Sequence, residues 1–593
     1  MTDSGFSEAQ KQYLEGFLTA VIKKHAPPLP SPSATGAGAA QFDATPDPCR
    51  IHVEAQDRAV ASGATLPPEE RAKRAKNPFD MWDEMLANAA AGRFPGGIDV
   101  FLHKFHGLFY VAPNQNAYML RLRLPGGILS SFQAQGLAAI AERFGGGYVD
   151  VTTRANLQIR EIGAADPVNV LVAIAELGLT SRGAGADNIR NITGSPAAGI
   201  DPQELIDTRP LCRELHHYIL NHRELYGLPR KFNIAFDGGG RLAVLEATND
   251  IGFAAVRVAA GHAVAAGVYF RMLLGGVTGH RAFADDSGVL LAPHEVVPAA
   301  VAVLRTFIAF GNRTDRSQAR LKYLLERWGM EKFLAEAAAH MPFAWRFFAA
   351  DECEKRGPID KHGHIGVHPQ AQSGFCYIGV VLPVGRLRAA QLRRLGEIAA
   401  RYGSGTLRLT VWQNLLISDI PEAEIGAAVA EIEAIGLGAN ASAVRGGLVA
   451  CTGNAGCKFA LADTKRHALA LADHLEAQLT LDQPINIHLT GCPNSCAQHY
   501  VGDLGLLATK IERGDDEVEG YHIAIGGGSG AETALGREIW ASVPADEAMT
   551  RVAALLRAYL AHRQPGESFH LFANRHTVAE LARIAGFDLA ARR

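Results

Sequence analysis

Between Leu124 and Ile159 the chain runs through four patterns in succession. "LPGG" is a turn signal, "ILSSFQAQGLAAIAERF" spaces its apolar residues at helical intervals, "GGG" interrupts, and "YVDVTTRANLQI" alternates. The alternation reads as one strand. It sends Val149, Val151, Ala155, Leu157 and Ile159 to one face, and Asp150, Thr152, Arg154, Asn156, Gln158 and Arg160 to the other. The same succession returns in "LPVGRLRAAQLRRLGEIAARYGSGTLRLTVWQNLLI", residues 382–417, without a gap at a constant offset of 258. Further on, "NITGSPAAG" (191–199) stands opposite "ACTGNAG" (450–456), the shared Thr-Gly offset by 259.

These patterns predict an α+β chain built by duplication, each half a small strand–helix–strand piece followed by a larger domain. The expected boundaries are 1–99 for an N-terminal helix (6–24), a Pro/Ala/Gly/Ser-rich linker and a lead-in. The first half-domain follows at 100–165, the first larger domain at 166–350, the second half-domain at 360–420 and the second larger domain at 421–593.

The two copies differ in charge. Arg121, Arg123 and Arg154 of the first copy match Gly379, Val381 and Trp412 of the second, so one basic pocket is kept and one is lost. "LPRKFNIAF" puts Lys231 and Asn233 on one face of a third strand, and "GNRTDRSQARLK" adds Arg316, Arg320 and Lys322 at the start of a helix-like segment. Such a density of cations suits a polyanionic cofactor and a small anionic substrate. The cluster has to be local, because the net charge of the 593-residue chain is only −3, which gives no global field toward nucleic acid or a membrane surface. The N-terminus lacks an apolar core for a signal peptide, and no run of 18 apolar residues occurs; the expected compartment is the cytoplasm.

Eight cysteines are too few for a disulfide scaffold, yet four fall in "CTGNAGCKFA" and "GCPNSCAQHY", as C-x5-C and C-x3-C. Pro493 suits a helix start, which would put Cys492 and Cys496 on one helix face, near a dipole that favours thiolates. Cys451 and Cys457, separated by two glycines, read as a folded loop. Structural zinc, four plain thiols and an iron–sulfur cluster are the open readings. The spacing is too long for zinc knuckles and favours the cluster. Cys49, Cys212, Cys353 and Cys376 have no partner pattern. "YHIAIGGGSGAETALG" imitates a dinucleotide turn at Gly526, Gly528 and Ala531, but Pro544 stands just before Asp546 where a helix and a second parallel strand are needed. The loop is read instead as a backbone surface for a flat cofactor.

"LRLRLPGG", "TTRANLQ", "LPRKFN", "GNRTDR" and "TGCPNSC" together resemble the sirohaem-containing nitrite and sulfite reductases, over about Asn77 to Glu580. The resemblance implies a pseudo-twofold fold of three α/β domains, a ferredoxin-like repeat pair plus two larger domains. It implies a [4Fe–4S] cluster on Cys451, Cys457, Cys492 and Cys496, with Cys496 bridging to the sirohaem iron. Arg121, Arg154, Lys231 and Asn233 would hold the substrate anion. Arg316, Arg320 and Lys322 would hold sirohaem carboxylates, with Arg123 and Asn156 against the same macrocycle. The family's sulfite reductases commonly carry Lys-x-Lys at the third strand and its nitrite reductases Lys-x-Asn, so Lys231-Phe232-Asn233 points to assimilatory reduction of nitrite to ammonia. Sulfite reduction to sulfide is the runner-up. A precorrin-modifying enzyme and a zinc-stabilised anion-binding module are more distant alternatives. With no flavin or nicotinamide domain in the sequence, reduced ferredoxin is the expected donor, and a monomer the expected state.

Overall fold

The two copies of the repeat exchange a strand. In a computed structural model, which describes residues 51–587, the first half-domain sheet contains Leu108–Val111, Ala117–Arg121, Asn156–Ile162 and Tyr148–Thr152. Its fifth strand, Arg386–Arg388, comes from the second copy; in return Ile128–Ser130 of the first copy joins the sheet of the second. Helices Ser131–Phe144 and Ala389–Tyr402, offset by the same 258 residues, pack on each other over a single core shared by both copies. Gly396 permits this approach, since a Cβ there would lie 3.1 Å from Ser131 O.

The duplication continues into the larger domains. Thr193–Gly194, Ile234–Asp237, Ile251–Val258, Gly267–Leu274 and Asp285–Leu291 form one sheet. Gly447–Ala450, Asn486–Thr490, Leu504–Arg513, Asp516–Ile525 and Arg537–Pro544 form the other. In both, the first three strands run parallel and the last two antiparallel. Each of these two sheets has a large hydrophobic core of its own, beside the one shared by the two copies of the repeat. The helix Val296–Phe310, with the turn before it, is long and apolar enough to cross a membrane, but most of it is buried against the first large sheet.

The alternating run from Tyr148 is a hairpin rather than one strand. It turns at Thr153–Ala155, with Asp150 opposite Gln158 and Thr152 opposite Asn156. The turn holds three residues, so the parity of the two faces survives it and the polar set still shares one face. Ala155 carries the turn at φ +45° and its repeat partner Gln413 at +62°. Gly127 packs beneath that turn, where a Cβ would lie 2.8 Å from Ala155 Cβ and from Leu409 O. The third strand is also shorter than the alternation suggests: it begins at Ile234, leaving Lys231 and Asn233 on the approach to it. The expected helix 6–24, its linker and Cys49 lie outside the described residues.

Candidate active site

A cavity of about 560 Å³ is lined from both halves. Two adjacent parallel strands, Gly447–Ala450 and Asn486–Thr490, end at its wall, and the residues after them include Cys451 and Cys492. The carboxyl ends of parallel strands are the usual place for a ligand in such sheets. Loops bring Cys457 and Cys496 to the same cavity, and all four thiols are free. Gly491 N donates to Cys451 Sγ at 3.1 Å, and a Cβ on Gly491 would lie 2.6 Å from Ala460 Cβ, so the two cysteine loops close on each other.

The Cys492–Cys496 segment is not helical. Ser495 and Gln498 sit at φ +52° and +54°, which interrupts any helix from Pro493 and removes the expected helix dipole from these thiols. The segment is held from outside instead. Thr153 Oγ1 donates to Cys496 O at 2.8 Å, and Gln498 Nε2 to Thr248 Oγ1 at 3.2 Å.

Facing the thiols is a basic wall. The cavity lining includes eleven Lys and Arg side chains and one carboxylate, that of Asp150. Their partners divide them. Arg154 spends its guanidinium on protein: Nε and Nη2 donate to Asn191 O at 3.2 and 2.6 Å, Nη2 also to Ile234 O at 3.1 Å, and Nη1 to Asn249 Oδ1 at 2.8 Å. Arg316 forms a bidentate pair with Asp187 at 2.9 and 3.0 Å, and Arg320 pairs with buried Asp250 at 2.6 and 3.1 Å. Asn156 lines the cavity and donates to Leu122 O.

Arg121 and Lys231 are uncommitted. Neither side chain makes a hydrogen bond or ion pair with another described residue, and the Arg121 guanidinium rests over the Phe109 ring at 4.5 Å. Burial pulls Arg121 down to about 10, which the Cys496 and Cys457 thiols partly offset. Burial, reinforced by Arg320, brings Lys231 down to about 7, the Cys496 thiol opposing. Asn233 lines the cavity beside them.

Two expected cofactor residues lie elsewhere. The strand Ala117–Arg121 stops two residues short of Arg123, which leaves the pleat; it is buried behind the wall, donating Nη1 to Ile189 O at 2.7 Å and to Gly183 O at 3.3 Å. Lys322, in the first turn of Leu321–Trp328, turns along its own helix to Glu326. The loop Gly526–Gly528 is off the cavity as well. A Cβ on Gly527 would lie 2.4 Å from Gly502 O, and one on Gly528 2.1 Å from Glu532 O, so these glycines serve protein packing and not a flat cofactor.

One residue absent from the sequence-based set stands out. Arg190 lines the cavity with Nη1 buried and unpartnered, and burial beside Arg121 holds its proton affinity well below normal. It lies just before the Thr193–Gly194 that the repeat sets opposite Thr452–Gly453, a position that could have drawn attention to it.

In this cavity the thiols of the second half meet guanidinium and ammonium groups drawn mainly from the first, a donor set that suits an iron–sulfur centre beside an anion. The family model described as the nitrite and sulphite reductase 4Fe-4S domain matches residues 185–344 and 442–585, and that of the nitrite/sulfite reductase ferredoxin-like half domain matches 111–177 and 368–435. The chain belongs to the nitrite and sulfite reductase family. Among its relatives, the ferredoxin–nitrite reductase of Synechococcus elongatus is 37% identical over 455 residues, 75% of this chain and 86% of that protein. The chloroplastic ferredoxin–nitrite reductase of Zea mays is 35% identical over 515 residues, 83% of this chain and 89% of that protein. The solved structure of the Mycobacterium tuberculosis NirA protein matches with a TM-score of 0.80 at 28% identity, covering 88% of this chain and 99% of that one.

Proposed function

We propose that this protein reduces nitrite to ammonium with electrons from reduced ferredoxin, using sirohaem and a [4Fe–4S] cluster. The observation that carries the reading is the meeting, in one cavity, of four free thiols and cations that no protein group neutralises. The donor set fits both groups: thiolates are the ligands of such clusters, and a cavity wall with eleven cations to one carboxylate suits a polycarboxylate macrocycle. Cys451, Cys457, Cys492 and Cys496 would hold the cluster, Cys496 also serving the sirohaem iron. Arg154, Arg316, Arg320 and Asn156 would border the macrocycle. When bound, the two groups supply the redox chemistry of NO2⁻ + 6e⁻ + 8H⁺ → NH4⁺ + 2H2O.

The chain's own part is charge and protons. Arg121, Arg190 and Lys231 would bind the anion, each with donors not already spent on protein. Lys231, whose proton is loosened by burial and by Arg320, would be the group to hand a proton to the bound anion. Asn233 adds a hydrogen bond without charge, which suits monoanionic nitrite; a second lysine there would suit a dianion such as sulfite. The names of the relatives support nitrite and ferredoxin.

With reduced methyl viologen as donor, nitrite turnover is expected to exceed sulfite turnover; faster sulfite reduction would move the protein to the runner-up. Cys496→Ser is expected to lose both the haem absorption and the cluster signal. Full retention of the two would take Cys496 out of the bridging role.

A further inference from the structure

Arg160 belongs to the strand Asn156–Ile162 of the first half-domain, yet its guanidinium ends in a cysteine loop of the other half. Nη2 donates to Thr452 Oγ1 at 2.7 Å and Nη1 to Gly456 O at 3.2 Å, and both acceptors lie between Cys451 and Cys457. Gly456 is held close, since a Cβ there would lie 3.0 Å from Arg160 Nη1. The remaining bonds run to Gln158 Oε1 at 2.7 Å and to Asp150 Oδ2 at 2.9 Å. Asp150 also accepts from Arg386 at 2.9 and 3.1 Å and faces Lys465 Nζ at 3.7 Å. Three cations share one carboxylate, so the group keeps a positive surplus beside the thiols.

The duplication supplies an internal control. Arg408, buried in the second half-domain sheet, donates Nη1 to Pro196 O at 3.2 Å and Ala198 O at 2.7 Å, in the loop that the repeat sets opposite the Cys451–Cys457 loop. Its Nε donates to Ser418 Oγ at 3.1 Å. Arg408 and Ser418 occupy the repeat positions of Asp150 and Arg160. A guanidinium clamp therefore exists on both sides, supplied from opposite strands of the hairpin. The shared carboxylate and the surplus charge accompany only the clamp on the cysteine loop.

We infer that Arg160 is a positioning residue for the iron–sulfur centre: it pins the Cys451–Cys457 loop to the first half-domain and, with the surplus charge around Asp150, raises the reduction potential of the cluster. The inference rests on the reading that these thiols hold a [4Fe–4S] cluster. Reduction adds negative charge to the cluster, so a fixed cation and N–H groups on its ligand loop favour the reduced form.

The test uses the full-length holoprotein, with two readouts: a mediated redox titration of the cluster EPR signal, and the rate of iron release to a bathophenanthroline chelator. Arg160→Gln is expected to shift the midpoint to a more negative potential and to release iron several-fold faster. Arg160→Lys is expected to restore the potential but not the release rate. Thr452→Val, which removes one acceptor and no charge, is expected to speed release at an unchanged potential. An unshifted potential in Arg160→Gln overturns the electrostatic role, and an unchanged release rate overturns the pinning. Should Arg160→Gln not accumulate as folded protein, wild-type iron release by Thr452→Val overturns the pinning. Wild-type protein without any cluster signal sinks the cluster reading, and this inference with it.

Discussion

Arg190→Ala is expected to lower kcat/KM for nitrite by about 10²–10³-fold while leaving cofactor absorption and thermal stability close to wild type. The reason is how the cations spend their donors. Arg190 Nη1 is buried without a partner, so truncation orphans no protein group there and removes a preorganised charge aimed into the cavity. Arg154 is the opposite case. It makes four hydrogen bonds, three to backbone carbonyls and one to Asn249, and ties the hairpin turn to Asn191 and the strand start at Ile234. Arg154→Ala is therefore expected to cost stability and cofactor retention first, roughly 1–3 kcal/mol for each buried acceptor left unmade, and turnover as a consequence. Measuring kcat, KM, absorption and the unfolding midpoint on both variants separates the two roles. Undiminished turnover by Arg190→Ala would remove it from the anion pocket. An Arg154→Ala protein fully loaded and stable but inactive would restore Arg154 to that place.

This contrast marks what the sequence could and could not convey. Residue type and spacing identified a basic face and four clustered thiols, because alternation and Cys spacing survive as linear patterns. They could not tell a spent arginine from a free one, since partners such as Asn191, Asp187 and Asp250 are assembled only by the fold. The hairpin was hidden for a different reason. Its left-handed turn residue is Ala155 in one copy and Gln413 in the other, neither of them a turn signal, and close packing of Gly127 beneath the turn accompanies that conformation. The strand exchange was likewise invisible, because Ile128–Ser130 and Arg386–Arg388 read as parts of their own repeats. The apparent dinucleotide loop misled because glycines needed for tight backbone packing look the same as glycines needed for a ligand.

Asp150→Asn is expected to destabilise the protein by about 3–5 kcal/mol near neutral pH, the cost typical of stripping the counter-charge from a buried ionic group. Burial alone would raise the Asp150 carboxyl; Lys465, Arg386 and Arg160 overcome it and hold the group at about 2, below its ordinary 3.8. A depressed carboxylate contributes its stability in full above the unfolded value, and loses it as pH falls from about 4 through about 2. A shift of this size corresponds to on the order of 2 kcal/mol, smaller than the mutational cost because the variant also leaves three cations facing one another. Wild-type protein should lose this increment on the acid limb, whereas Asp150→Asn should lack it at every pH and show a flatter dependence there. Asp150 joins strands from both copies through Arg160 and Arg386, so the loss is expected to appear as earlier unfolding of the shared half-domain core. Denaturant melts at pH 7 and pH 3 decide the matter: coincident wild-type and Asp150→Asn curves at pH 7 would mean that the three cations do not depend on this carboxylate.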